Sequence, residues 1–227
     1  MGLGFNMMSA VALPDLERRN DWIVANARDF HNEVELLYSC VAADGVARFG
    51  EDEGAGFPPR FEYRWKVGGG GRGGKGKATR CSSPEYVRLT LKWVPREIDE
   101  CAPSATAAAG SAVGFAADCP ARMCGVYKRL LRVYAIVFAS HFDALRRVDA
   151  EVHFNTSLKR FLLFALEFDL VEAREYRALG ERGEALRAEW ERLASELRAA
   201  QRRPSEPLST DGSKPRCREF HTDPLKY

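Results

Sequence analysis

The chain has no long apolar run. The best candidate for a membrane span, around Phe161 to Val171, is too short and is interrupted by Glu167 and Asp169. Its opening residues, Met-Gly-Leu-Gly-Phe-Asn-Met-Met, lack the basic start and longer apolar stretch of a secretory signal. An excess of charge of one sign is also lacking: a formal net charge of +2 gives no reason to expect a nucleic acid or an anionic membrane as partner. Six cysteines, Cys40, Cys81, Cys101, Cys119, Cys124 and Cys217, fall at irregular spacings, which suits free thiols in a reducing compartment better than a disulfide framework. The expectation is a soluble protein of the cytoplasm, with the nucleus also open to it, that neither binds nucleic acid nor inserts into a membrane.

Catalytic chemistry is equally sparse. None of the four histidines, His31, His141, His153 and His221, stands near a serine or cysteine motif with an identifiable base. Cys119 and Cys124 look like half a metal site, but two ligands cannot close a tetrahedral zinc site. The glycine run Gly68 to Gly76 lacks the Gly-x-x-x-x-Gly-Lys-Ser/Thr order of a phosphate loop and reads as a linker or hairpin tip. The sequence therefore predicts no enzyme and no cofactor.

At 227 residues and 45% hydrophobic content the chain can bury one sizeable core. From Asn20, a candidate N-cap, to Tyr38, the residues Trp22, Ile23, Phe30, Val34 and Leu37 recur at helical spacing. Val41 to Arg60 turns to glycine, proline and charge and reads as a loop. Phe61 to Trp65 alternates aromatic with charged residues, as a half-buried strand does. Ser83 and Pro84 open a helix that Pro95 should kink or end early. After the low-complexity stretch Ala102 to Ala117, one continuous stripe from Met123 to Leu145 predicts a long helix. A second helix follows Asn155-Thr156-Ser157, which can cap it. Beyond Gly183, Leu186, Trp190, Leu193 and Leu197 form a coiled-coil-like seam: an accessory surface, a cover for the bundle or a solvated extension.

Two charge clusters are candidate binding sites. Near the start, Asp15, Glu17, Asp21, Asp29, Glu33 and Glu35 outweigh Arg18, Arg19 and Arg28, and Trp22 lies among them. That pattern fits a docking face for a basic helix with Trp22 as anchor, although Trp22 fits a simple core role as well. Further on, Lys128 and Arg132 stack on one helix face and Arg129 lies about 100° round it. Three such cations either converge on one anion, for which phosphate is well suited, or form an ordinary solvated basic face.

These residues also carry a family resemblance. Leu13-Pro14, Asn20 to Asn26, Asp29-Phe30 and Leu37-Tyr38 are similar to the opening helix of Mob (Mps one binder) proteins. Phe61-Glu62-Tyr63-Arg64-Trp65 resembles the family's Tyr-Glu-Tyr-x-Trp strand, and Arg80-Cys81-Ser82-Ser83-Pro84-x-Tyr86 its Lys-Cys-Ser-Ala-Pro-x-Tyr. Tyr127 to Ala135, His141-Phe142-Asp143 and His153-Phe154-Asn155-Thr156-Ser157-Leu158-Lys159 continue the match in order from about Leu13 to Ala178. The resemblance implies a mainly α, Mob-like helical bundle with a small β-hairpin over residues 13–183; spacing and composition add a lead over 1–12, a helical extension over 184–203 and a disordered tail over 204–227. It implies a non-catalytic co-activator that binds the N-terminal regulatory region of an NDR/LATS-type AGC kinase through Glu17, Asp21, Trp22 and Asp29. Lys128, Arg129 and Arg132 then hold a phosphorylated peptide of an upstream kinase or scaffold. The alternative is a phosphopeptide-binding scaffold without kinase activation.

The sequence departs from the family in two places. It begins close to the opening helix, so the N-terminal extension of many Mob proteins is expected to be shortened. The family's zinc is held by two cysteines before the strand and two histidines on the long helix; here Val41 to Arg60 contains no cysteine, Ile136 stands at the first histidine, and only His141 remains. Folding without zinc is expected, with His141 serving as a helix-packing residue and the loop either packed by Phe49 and Phe57 or mobile.

Overall fold

The computed structural model describes residues 10–66, 78–101 and 118–201. The glycine run, the Ala102 to Ala117 stretch and the tail lie outside them. Helix α1 spans Arg19–Ser39 and buries Ile23, Ala27, Phe30, Val34 and Leu37 at the helical spacing read from the sequence. Asn20 is not its cap. The N-cap is Arg18, in extended conformation, and Asp21 places a carboxylate in the first turn.

The stretch expected to be a loop contains a helix, α2, Ala42–Phe49. The glycines and prolines that follow dominate the local composition, while tertiary bonds from Asp44 and Arg48 hold this short helix. Phe61 to Trp65 keeps its predicted alternation, with Glu62 and Arg64 exposed, yet only Trp65–Lys66 (β1) enters a ladder. It pairs antiparallel with Ala78–Thr79 (β2), in the register Trp65 to Thr79.

Helix α3, Ser83–Cys101, carries Pro95 and still continues to Cys101. Proline removes the N–H that would bond the carbonyl four residues earlier, that of Leu91. His31 on α1 donates to that carbonyl from Nε2 at 2.9 Å, so the break expected at Pro95 is replaced by a bond between helices. The cap is also shifted by one: Tyr86 N–H bonds the Ser82 carbonyl.

The predicted stripe from Met123 to Leu145 is two helices, α4 (Cys119–Ser140) and α5 (Phe142–Arg147), broken at His141. Helix α6 spans Glu151–Glu167, so Asn155-Thr156-Ser157 lies inside it rather than capping it. Ser157 works across helices instead. Its hydroxyl donates to Glu33 on α1 at 2.7 Å and accepts from Tyr134 on α4 at 2.7 Å. A 3-10 helix, Ala173–Leu179, leads into α7, Gly180–Gln201. Gly180 makes the junction at φ +62°, a left-handed value that suits glycine. Helix α7 therefore starts before the expected boundary at Gly183, and Trp190 ties it to the core; the side chains of Leu186, Leu193 and Leu197 lie outside the described ones.

Helix α4 is the centre of the bundle. Val133 to Val137 are all buried, as expected of a helix packed on every side. Between α1, α4 and α6 lies an aromatic cluster in which Tyr127 stacks on Phe164 at 5.7 Å and Phe30 meets Phe161 edge-on at 5.2 Å. The Tyr127 hydroxyl donates to the Ile23 carbonyl at 3.0 Å, so the cluster buries no unmet phenol there. The architecture is a mainly α-helical bundle with one small antiparallel hairpin.

Candidate functional sites

Helices α1 and α6 run antiparallel. Arg19 donates to the Phe168 carbonyl at 2.7 Å, Trp22 meets Phe164, and Glu33 takes Ser157 and Arg160 at 2.7 Å each. The outward side of α1 carries Asp21, Ala25 and Asp29 one turn apart. Asp29 is exposed and enters no ion pair among the described residues, whereas its neighbour Arg28 is drawn to Asp99 at 2.8 Å. Asp21 is paired with Arg18 at 2.6 Å, and Glu17 lies before the helix, its N–H bonded to the Pro14 carbonyl. Trp22 is half-buried: its ring packs near Phe164 and its Nε1–H points to the Val11 carbonyl at 3.4 Å. It is thus a wedge shared between core and surface. Sequence reading missed the apolar end of this face. Leu36, near the end of α1, is 70% exposed, and Val152, in the first turn of α6, is 66% exposed.

The three cations of α4 do not converge. Arg132 grips Glu175 of the 3-10 helix through Nε at 2.9 Å and Nη2 at 3.0 Å, and Lys128 reaches the same carboxylate at 3.4 Å. Arg129 turns the other way, into a slot between Trp65 at 4.5 Å and Trp93 at 3.9 Å from the ring centres. Burial holds the Arg129 guanidinium below its ordinary pKa, and its Nη1 has no partner among the described residues. Arg132 also lies over the Tyr63 ring at 4.7 Å. Burial pushes the Glu175 carboxyl up, but the Arg132 bonds and the Arg132 and Lys128 charges outweigh it and leave the group below the usual carboxylate range. Glu175 is 8% exposed, so this is an inner oxyanion clasp already filled by the chain itself.

At the position of the family's zinc, His141 donates from Nδ1 to Asp44 at 3.1 Å. Arg48 joins the same carboxylate at 3.2 Å and also bonds the Ser140 carbonyl at 2.7 Å, clamping α2 to the α4–α5 junction. Burial lowers the His141 pKa against the opposing Asp44 bond. The buried Nε2 is unpartnered, the kind of atom a metal satisfies. What faces it, however, is Gly45, where an added Cβ would stand 3.4 Å from Nε2, and the Phe49 and Tyr38 rings cross the imidazole steeply with centres 5.9 and 6.3 Å from its own. Ile136 is core, and no group of three His, Cys, Asp or Glu suited to a metal occurs among the described residues. Two donors and a ring-lined space do not fit a structural zinc. The packing role given to Phe49 and Phe57 is visible: Phe57 meets Tyr63 at 5.3 Å and Tyr86 at 6.1 Å. Cys40, exposed at the end of α1, and Cys119 and Cys124 belong to no metal cluster among the described residues.

Comparison with known proteins bears on the family of the chain. The model of the Mob1/phocein family matches residues 1–179. The MOB kinase activator-like 1 homolog A of Dictyostelium discoideum is 35% identical over 183 residues, covering 80% of this chain and 81% of that protein. The maintenance of ploidy protein mob1 of Schizosaccharomyces pombe is 31% identical over 174 residues, covering 75% and 77%. MOB kinase activator-like 1A of Arabidopsis thaliana is 32% identical over 176 residues, covering 78% of each. With its helical bundle, its hairpin and a match running through the 3-10 helix, the chain belongs to the Mob1/phocein family.

Proposed function

We propose that this chain is a non-catalytic kinase co-activator and adaptor. It docks the basic N-terminal regulatory helix of an NDR/LATS-type AGC kinase on the outward face of α1, and takes a phosphorylated peptide of an upstream kinase or scaffold at Lys128 and Arg132, which Arg129 joins on leaving its slot between Trp65 and Trp93. Relatives named as kinase activators support the class. The observation that carries the docking reading is Asp29: an exposed carboxylate without an ion pair among the described residues, on a face that holds half-buried Trp22 and ends in exposed Leu36. An arginine-rich helix supplies the missing charge, and its apolar side chains cover Leu36 and Val152. Activation then follows from differential affinity, because a partner that binds the active arrangement of the kinase more tightly raises its population.

Titration calorimetry with an arginine-rich kinase peptide tests this. Asp29→Lys should weaken binding, with the larger loss at low salt, since exposed charges are screened over about 10 Å at 0.1 M. Unchanged affinity would remove this face as the docking site. The Lys128 and Arg132 clasp on an oxyanion favours a second reading, a phosphopeptide scaffold without kinase activation. Saturable phosphopeptide binding by a chain that ignores the kinase peptide would select it.

A further inference from the structure

We infer that a groove between α4, α6 and α7 docks a short acidic amphipathic helix from a partner protein. The cavity holds about 410 Å³, a size typical of ligand sites, and its floor is Phe138, Leu158, Leu162 and Leu179. It shares no lining residue with the clasp on α4, Phe138 lying six residues, about 9 Å, beyond Arg132. Over the floor stand Asn155 and Lys159, one turn apart on α6, and Arg182 from the first turns of α7.

Charge selects the occupant. The cations on the elements beside the groove are held internally: Arg160, adjacent to Lys159, by Glu33 at 2.7 Å, Arg132 on α4 by Glu175 at 2.9 Å, and Arg187 on α7 by Glu191 at 2.9 Å. Lys159 and Arg182 enter no ion pair among the described residues; Arg182 lies over the Phe138 ring at 5.7 Å. Two cations and a side-chain amide above an apolar floor complement apolar side chains bordered by carboxylates. From Asn155 to Leu162 the lining covers about 10 Å of α6, the length of two helical turns, so the occupant presents apolar residues at i, i+3 and i+4. Glu189, two turns beyond Arg182, leaves no place for a carboxylate at its own end and so orients the acidic edge of the partner toward Lys159 and Arg182.

Panning the full chain against a phage-displayed library of random peptides, followed by fluorescence anisotropy on the enriched sequences, tests the groove. Enriched peptides should alternate apolar residues with Asp or Glu at helical spacing. Their affinity should fall at least about tenfold in the Lys159→Glu, Arg182→Glu double variant, and should rise in Glu189→Lys, with circular dichroism unchanged. Acidic peptides that bind the double variant as tightly as the wild type sit at the α4 cations instead and overturn the proposal. So does a failure of acidic apolar sequences to enrich. A concentration-dependent dimer in sedimentation that the double variant dissociates would assign the groove to a second copy of this chain, which also overturns it.

Discussion

Replacing Glu175 with Gln separates two roles that its carboxylate combines. The substitution keeps the shape and one acceptor oxygen while removing the charge held by Arg132 at 2.9 and 3.0 Å and by Lys128 at 3.4 Å. Deleting one member of a buried pair outright costs about 3–5 kcal/mol; with the amide still accepting a bond, the loss should be nearer the 1.5–3 kcal/mol of a charge-assisted hydrogen bond. Denaturant unfolding should register that loss. A phosphate entering the clasp must displace this carboxylate, so the same interaction bounds the gain in phosphopeptide affinity at about ten- to a hundredfold. The pH dependence has a definite sign. Because the Glu175 carboxyl is held below its ordinary range, its contribution is complete above the usual carboxylate pKa and disappears as pH falls through the lowered value; Glu175→Gln should remove that acid-side step. If calorimetry shows phosphopeptide affinity unchanged or reduced while stability falls as expected, Glu175 positions Arg132 for the ligand rather than competing with it.

Three further outcomes follow from the packing. Arg129→Ala empties the slot between Trp65 and Trp93 and should lower stability by about 1–3 kcal/mol with a shift in tryptophan emission; an unchanged denaturant midpoint would show that the sandwich contributes nothing. His31→Phe retains a ring but leaves the Leu91 carbonyl without the bond that replaces the one lost to Pro95, which should cost about 1–3 kcal/mol, read against Pro95→Ala in the same background. Elemental analysis should find no stoichiometric zinc, and a chelator should leave the thermal transition in place. One zinc per chain that survives dialysis and is lost in His141→Ala would refute the reading of the Asp44–His141 clamp.

The sequence by itself determined the helical class, the buried stripes and the family, because apolar spacing on α1, α4 and α6 and the short motifs between them are local properties of the chain. The same locality explains where reading along the chain stopped short. Pro95 was a helix breaker until α1 delivered His31 to the freed carbonyl, and Asn155-Thr156-Ser157 was a cap until α1 and α4 supplied Glu33 and Tyr134. Helix α2 drew its stability from Asp44 and Arg48 reaching the His141 junction, nearly a hundred residues away. The basic triad shows the division most clearly. Spacing placed Lys128, Arg129 and Arg132 on neighbouring faces of one helix, but which face meets solvent, which meets two indoles and which meets a carboxylate depends on elements that arrive from elsewhere in the chain. Only the tertiary structure decided that Arg129 stacks between tryptophans and that Glu175 fills the clasp, because a charge takes its partner from whatever the fold brings within a few ångströms.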